Sequence, residues 1–162
     1  MSLARCFAFV AIGCSLAAPA GAAIIMQRSL SHSMSLAIAE GAIQACLAKG
    51  YGTSAVVVDR DGETMVEMRG DGASIHTMEN ARRKAYTAMT FKRPSAEFAK
   101  EYNDGNQVRR AQATLPNIIA NGGGVPIKIG DDVIGGVGVS GSPGIDEECA
   151  NAGIDKVKDE LK

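Results

Sequence analysis

Aromatic residues make up only 4% of this 162-residue chain, and tryptophan is absent. The core must therefore be assembled from Val, Ile, Leu, Met and many Ala, a composition suited to thin, closely packed layers. An excess of charge of either sign is also missing, for the formal net charge is −1. That balance gives no electrostatic reason to expect a nucleic-acid partner. Histidine is scarce, with only His32 and His76. There is no Cys-x-x-Cys and no Cys/His cluster, which argues against a structural zinc site. The chain also lacks Gly-x-Ser-x-Gly and His-Glu-x-x-His, so no catalytic residue is assigned.

The one pronounced apolar run, Cys6 to Ala18, follows Arg5 and precedes small residues. It is too short to span a bilayer, and Ala18-Pro19-Ala20 or Ala20-Gly21-Ala22 satisfies a small-x-small cleavage rule. Residues 1–23 read as a secretory signal peptide and 24–162 as a single domain, periplasmic or secreted, with no integral membrane segment after cleavage. Removing residues 1–23 leaves Cys46 and Cys149, which in an oxidising compartment either pair or serve as small apolar helix residues.

Residues 24–34 form a polar lead-in that contains His32. Leu36, Ala39, Ile43, Cys46 and Leu47 share a face at helical spacing, predicting a helix from about Ser35 to Lys49. The β-branched run Ala55–Val58, the turn residues Asp59–Gly62 and the alternation from Glu63 to Arg69 predict a hairpin whose first strand is covered on both sides. Thr77 is a natural cap for a second helix through about Thr90, and a third helix runs from Ala96 to about Tyr102. Residues 103–113 read as a polar connection. A short strand around Asn117–Ala120, a second hairpin (Val125–Ile129 and Val133–Ser140) and a C-terminal helix from Asp146 to near Leu161 complete the order. This is an α+β sandwich with a mixed or antiparallel sheet of about five strands.

His76, at the mouth of the second helix, is the leading candidate ligand, because imidazole commonly binds metals and haem iron. Met65, Met68, Met78 and Met89 offer a soft apolar wall or a second axial ligand. The alternative is a polar residue at a helix start above core methionines. Arg82, Arg83 and Lys84 form a basic cluster able to pair with ligand carboxylates, or else a solvated helix face salted to Glu79. Glycines inside the strand VIGGVGVSG mark close approach by another backbone or by a ligand. Gly122-Gly123-Gly124 and Ser140–Gly144 present backbone N–H groups, the second ahead of a helix N-terminus where an anion can sit. Asp59, Asp61 and Asp71 occupy turn positions.

The ordered set VVVDRDG, RGDGA, HTMENARRKAYTA, RPS, GGGVPI and GVGVSGSPGIDEECANAG resembles the GlcG/HbpS-type haem-binding family over about Leu36 to Gly153, a domain also appended to some corrinoid adenosyltransferases. The resemblance implies a profilin-like sandwich with a mainly antiparallel sheet, homo-oligomers, and haem as cofactor in an exported protein. It makes His76 the candidate ligand to haem iron. It also puts Thr77, Arg69 and Lys84 near a pocket or subunit contact, while Arg83 with Lys84, in the basic cluster, is a candidate partner for the haem propionates. The function expected is haem or tetrapyrrole binding for sequestration, transport or sensing. One alternative is a small enzyme on a hydroxy- or oxo-carboxylate, using Asp59 or Asp61 with His76. The other is a structural oligomer that binds a partner protein.

Overall fold

The computed structural model describes residues 23–162; the expected signal peptide lies almost wholly outside them. Four strands form one antiparallel sheet in the order β2-β1-β4-β3: β1 Ser54–Asp59, β2 Thr64–Arg69, β3 Gly124–Ile129 and β4 Asp132–Ser140. Each hairpin forms as its turn residues dictate, and the two join through β1 against β4, with Ala55 opposite Val139 and Val57 opposite Val137. Among the described residues no fifth strand forms at 117–120. Asn117 there adopts φ 71°, and the Ile119 N–H donates to Thr87 Oγ1 at 3.0 Å rather than to a strand. The segment is pinned to a helix, and so its apolar character serves packing.

Helices cover both faces. On one, α1 (His32–Leu47) and α5 (Asp146–Ile154) enclose the larger core of Ile38, Ala39, Ala42, Ala55, Val57, Ile127, Val137 and Val139. On the other, α2 (Thr77–Phe91) closes on Val56 and Val58 through Ala81, Ala85 and Met89. Alternate valines of β1 thus point into two separate cores, as its uninterrupted apolar run requires. Two further helices, α3 (Ser95–Asn103) and α4 (Gln107–Gln112), follow α2. Residues 103–113 are therefore partly helical. α4 buries no residue and is instead held by Arg109, whose guanidinium pairs with Glu101 and lies 5.2 Å over the Phe91 ring.

The glycines of β4 have a packing purpose. A Cβ on Gly138 would stand 2.0 Å from the Ala81 carbonyl oxygen, and one on Gly136 2.5 Å from that of Ala85. They let the backbone of α2 rest directly on the sheet. The close approach anticipated from the sequence is that of a helix.

Cys46 and Cys149 form a disulfide joining α1 to α5, with Cα atoms 5.5 Å apart. α1 begins at His32, with the Ser31 hydroxyl accepting from the Met34 N–H at 3.2 Å. The polar turn before Leu36 is therefore helical, not a lead-in. α5 ends at Ile154 and passes into a short 3-10 turn, Asp155–Val157, short of Leu161. No helix among the described residues is long and apolar enough to cross a membrane.

Candidate functional site

A cleft of about 630 Å³ opens where the N-termini of α2, α3 and α5 converge. Its size falls in the range of small-molecule and cofactor sites. Ser74, His76, Thr77 and Asn80 line one side. Ala96 and Asn121–Gly123 line another, and the β4–α5 loop supplies Ser140, Gly141, Pro143, Gly144, Asp146 and Glu147.

His76 occupies the N-cap position of α2, in a near-helical conformation (φ −67°, ψ −14°), and its side chain makes no capping bond. The imidazole is exposed on the cleft rim. Thr77 is consequently the first helical residue and not the cap. Its buried hydroxyl turns back to donate to the Ser74 carbonyl at 2.6 Å. With that single proton committed, the Ser54 hydroxyl is the donor in the 2.8 Å contact between Ser54 and Thr77.

The basic cluster divides three ways. Arg82 forms a bidentate pair with Glu79, both bonds 2.9 Å; the pairing raises the pKa of Arg82 and lowers that of Glu79. Arg83 donates to the Ile118 carbonyl. Lys84 is buried, donating to the Val139 carbonyl at 3.0 Å and to Asp146 Oδ2 at 2.7 Å. Asp146 Oδ1 accepts from the Ser142 N–H at 2.9 Å and the Ser142 hydroxyl at 2.6 Å. Gly123 (φ 118°) abuts this pair so closely that a Cβ would stand 2.9 Å from Lys84 Nζ. The ion pair therefore forms the floor beneath the cleft and fixes the start of α5.

Of the residues singled out from sequence, His76 and Thr77 line the cleft, and Lys84 supports it through Asp146 and Gly123. Arg69, exposed at the end of β2, and Arg83 are not among the lining residues, nor is His32. Met65 and Met68 pack on the larger core and Met89 on the smaller, and none of the four methionines lines the cleft. Asp59 Oδ1 accepts from the N–H groups of Asp61 and Glu63, closing its own turn. The carboxylates that border the cleft are instead Asp146 and Glu147. Glu147 Oε1 accepts from the Ala96 N–H at 3.2 Å and so caps α3. Sequence reasoning missed Glu147, Asn80 and Asn121, which meet only in the fold. The Ser140–Gly144 loop was visible because turn residues precede a helix.

Residues 30–155 match the family described as "Haem degrading protein HbpS-like". The chain belongs to the HbpS-like family. The crystal structure of HbpS, a protein also crystallised from Streptomyces reticuli as a double mutant, superposes with a TM-score of 0.77 at 32% identity, covering 86% of this chain and 97% of HbpS. A crystal structure of a PduOC–haem complex shares the fold, with a TM-score of 0.71 at 23% identity, over 80% of this chain and 95% of that one. Among curated proteins, a 15.0 kDa protein in the dhaT-dhaS intergenic region of Citrobacter freundii is 35% identical over 86 residues, 52% of this chain and 61% of its own. The chain thus spans about three-fifths of that relative.

Proposed function

We propose that this HbpS-like protein binds haem in the cleft at the start of α2, in sequestration, transport or sensing. The observation that carries this reading is His76. Its imidazole stands on the cleft rim, takes no part in capping α2, and is free to offer a ring nitrogen to iron. Haem, when bound, would supply the redox-active iron, and His76 would hold it at the cleft rim. Thr77 holds the loop before His76 through its bond to Ser74. Lys84 neutralises Asp146 beneath the floor, so that this buried carboxylate does not repel an anionic ligand. Arg69 and Arg83, outside the cleft lining, would act by the long-range field of the α2 side rather than by contact.

The family description and the haem-bound structural neighbour support a haem ligand. We further propose that the protein is exported, which the Cys46–Cys149 disulfide supports because such bonds persist in oxidising compartments. Assembly into a homo-oligomer belongs to the same reading; exposed Leu47, Tyr51 and Ile75 offer apolar surface for it. Its check is light scattering on the purified protein.

A haemin titration followed by absorbance tests the haem reading. The expected result is a saturable Soret shift in the wild type and in His32→Ala, lost or displaced in His76→Ala. No saturable shift in the wild type would overturn it.

A further inference from the structure

Asn121 is the one asparagine in the chain that precedes a glycine. In that pairing the backbone nitrogen of the following residue can attack the asparagine Cγ and close a succinimide ring. A larger following side chain hinders the attack, and regular helix or strand geometry keeps the two atoms apart. Neither obstacle exists here. Residues 121–123 lie outside helix and strand, Asn121 is exposed and Gly122 is half-buried. Gly122 and Gly123 give the backbone the freedom to turn toward the side chain. Among the described residues, neither the Asn121 side-chain amide nor the Gly122 N–H has a hydrogen-bond partner.

The same residue lines the cleft. Ser95 fixes it there, its hydroxyl donating to the Asn121 carbonyl at 2.8 Å and accepting from the Gly124 N–H at 2.8 Å. Two carboxylates already border the cleft. Asp146 is neutralised by Lys84. Glu147 is held only by backbone, its Oε1 accepting from the Ala96 N–H at 3.2 Å and the Gly123 N–H at 3.4 Å. A neutral side chain at position 121 therefore keeps the charge on this side of the cleft low.

We propose that Asn121 is a self-modification site of the cleft, converted with time to aspartate and isoaspartate, which adds a negative charge to the rim. The Gly122 nitrogen releases its proton to solvent and bonds to Asn121 Cγ. The Cγ–Nδ2 bond breaks, and that nitrogen leaves as ammonia. Water then opens the imide, so that the sum is amide plus water giving carboxylate plus ammonium. Opening at the main-chain carbonyl routes the backbone through the side chain and adds a methylene between the two points held by Ser95. The new carboxylate stands on the side of the cleft that Glu147 borders and repels an anionic ligand. This effect on binding rests on the haem reading; the modification itself does not.

The test ages the purified protein in mildly alkaline buffer and maps its peptides by mass spectrometry, with isoaspartate labelled by an isoaspartyl methyltransferase. Haemin is then titrated into fresh and aged wild type, aged Asn121→Gln and fresh Asn121→Asp. Conversion is expected at Asn121 well ahead of Asn117, which shares its tryptic peptide. Aged wild type and Asn121→Asp are expected to bind haemin about two- to fivefold more weakly than fresh wild type, the scale of one partly screened charge. Aged Asn121→Gln should bind as before ageing. An Asn121 that stays intact, or converts no faster than Asn117, would overturn the site. Equal haemin affinity before and after conversion would overturn its effect on the cleft. Should haemin fail to bind even the fresh protein, the haem reading falls, and the peptide map alone decides the modification.

Discussion

Lys84 Nζ, on the buried side of α2, stands 2.7 Å from Asp146 Oδ2 at the start of α5, and their side chains are 2% and 12% exposed. The pair connects helices on opposite faces of the sheet, past the end of β4. Asp146→Ala leaves the ammonium unpaired and is expected to destabilise the fold by about 3–5 kcal/mol. Lys84→Met/Asp146→Leu, which removes both charges, should cost less. Urea denaturation of the single and double variants reads this directly; equal losses would show that the pairing matters little.

Gly138→Ala places a methyl group 2.0 Å from the Ala81 carbonyl oxygen. α2 must then lift from β4, at a cost of about 1–3 kcal/mol or more. Because α2 carries His76 and Thr77, the same variant is expected to weaken ligand binding at the cleft. Thermal unfolding and haemin affinity should fall together. An unchanged Tm would refute the packing role of this glycine.

The Cys46–Cys149 bond closes a loop across 103 positions of sequence. In the chain-entropy picture such a crosslink contributes about 4–5 kcal/mol. Cys46 Sγ also lies 2.9 Å from the Ser142 hydroxyl, in the loop that lines the cleft. Dithiothreitol, or Cys46→Ala/Cys149→Ala, is expected to lower Tm and to loosen ligand binding, read by calorimetry and by titration.

At the far corner, Glu101 receives both Arg93 and Arg109, which hold its carboxyl down at about 2 against an ordinary 4.5. The depressed value means that stability from this carboxylate is present above about pH 4.5 and is lost as pH falls toward about 2. Glu101→Gln should therefore be the less stable protein at neutral pH, with the difference shrinking through that acid window. Urea midpoints measured across it check the sign. Since the corner is exposed, the effect should be small and salt-sensitive.

Much of this architecture was legible in the sequence because turn chemistry and periodicity agreed. Asp59–Gly62 and Gly130–Asp132 set the two hairpins, and the Val56/Val57 alternation set a strand buried on both faces. What stayed hidden had no local signature. α4 has no apolar face and depends on Arg109 reaching Phe91 and Glu101. Ile118 and Ile119 resembled a strand, but their partners are Arg83 and Thr87 of α2. At the site, His76 and the Ser140–Gly144 loop were visible. The engagement of Lys84 by Asp146, 62 residues away, depends on where β4 delivers the chain, and so does the placement of Glu147 against the start of α3.

The most direct test of the central claim is chemical rescue of the proposed iron ligand. His76→Gly should lose the wild-type Soret band with haemin, and added imidazole should restore it by occupying the vacated position. A His76→Gly protein that binds haemin with the wild-type spectrum, indifferent to imidazole, would contradict the assignment of His76 and with it the haem site proposed at the start of α2.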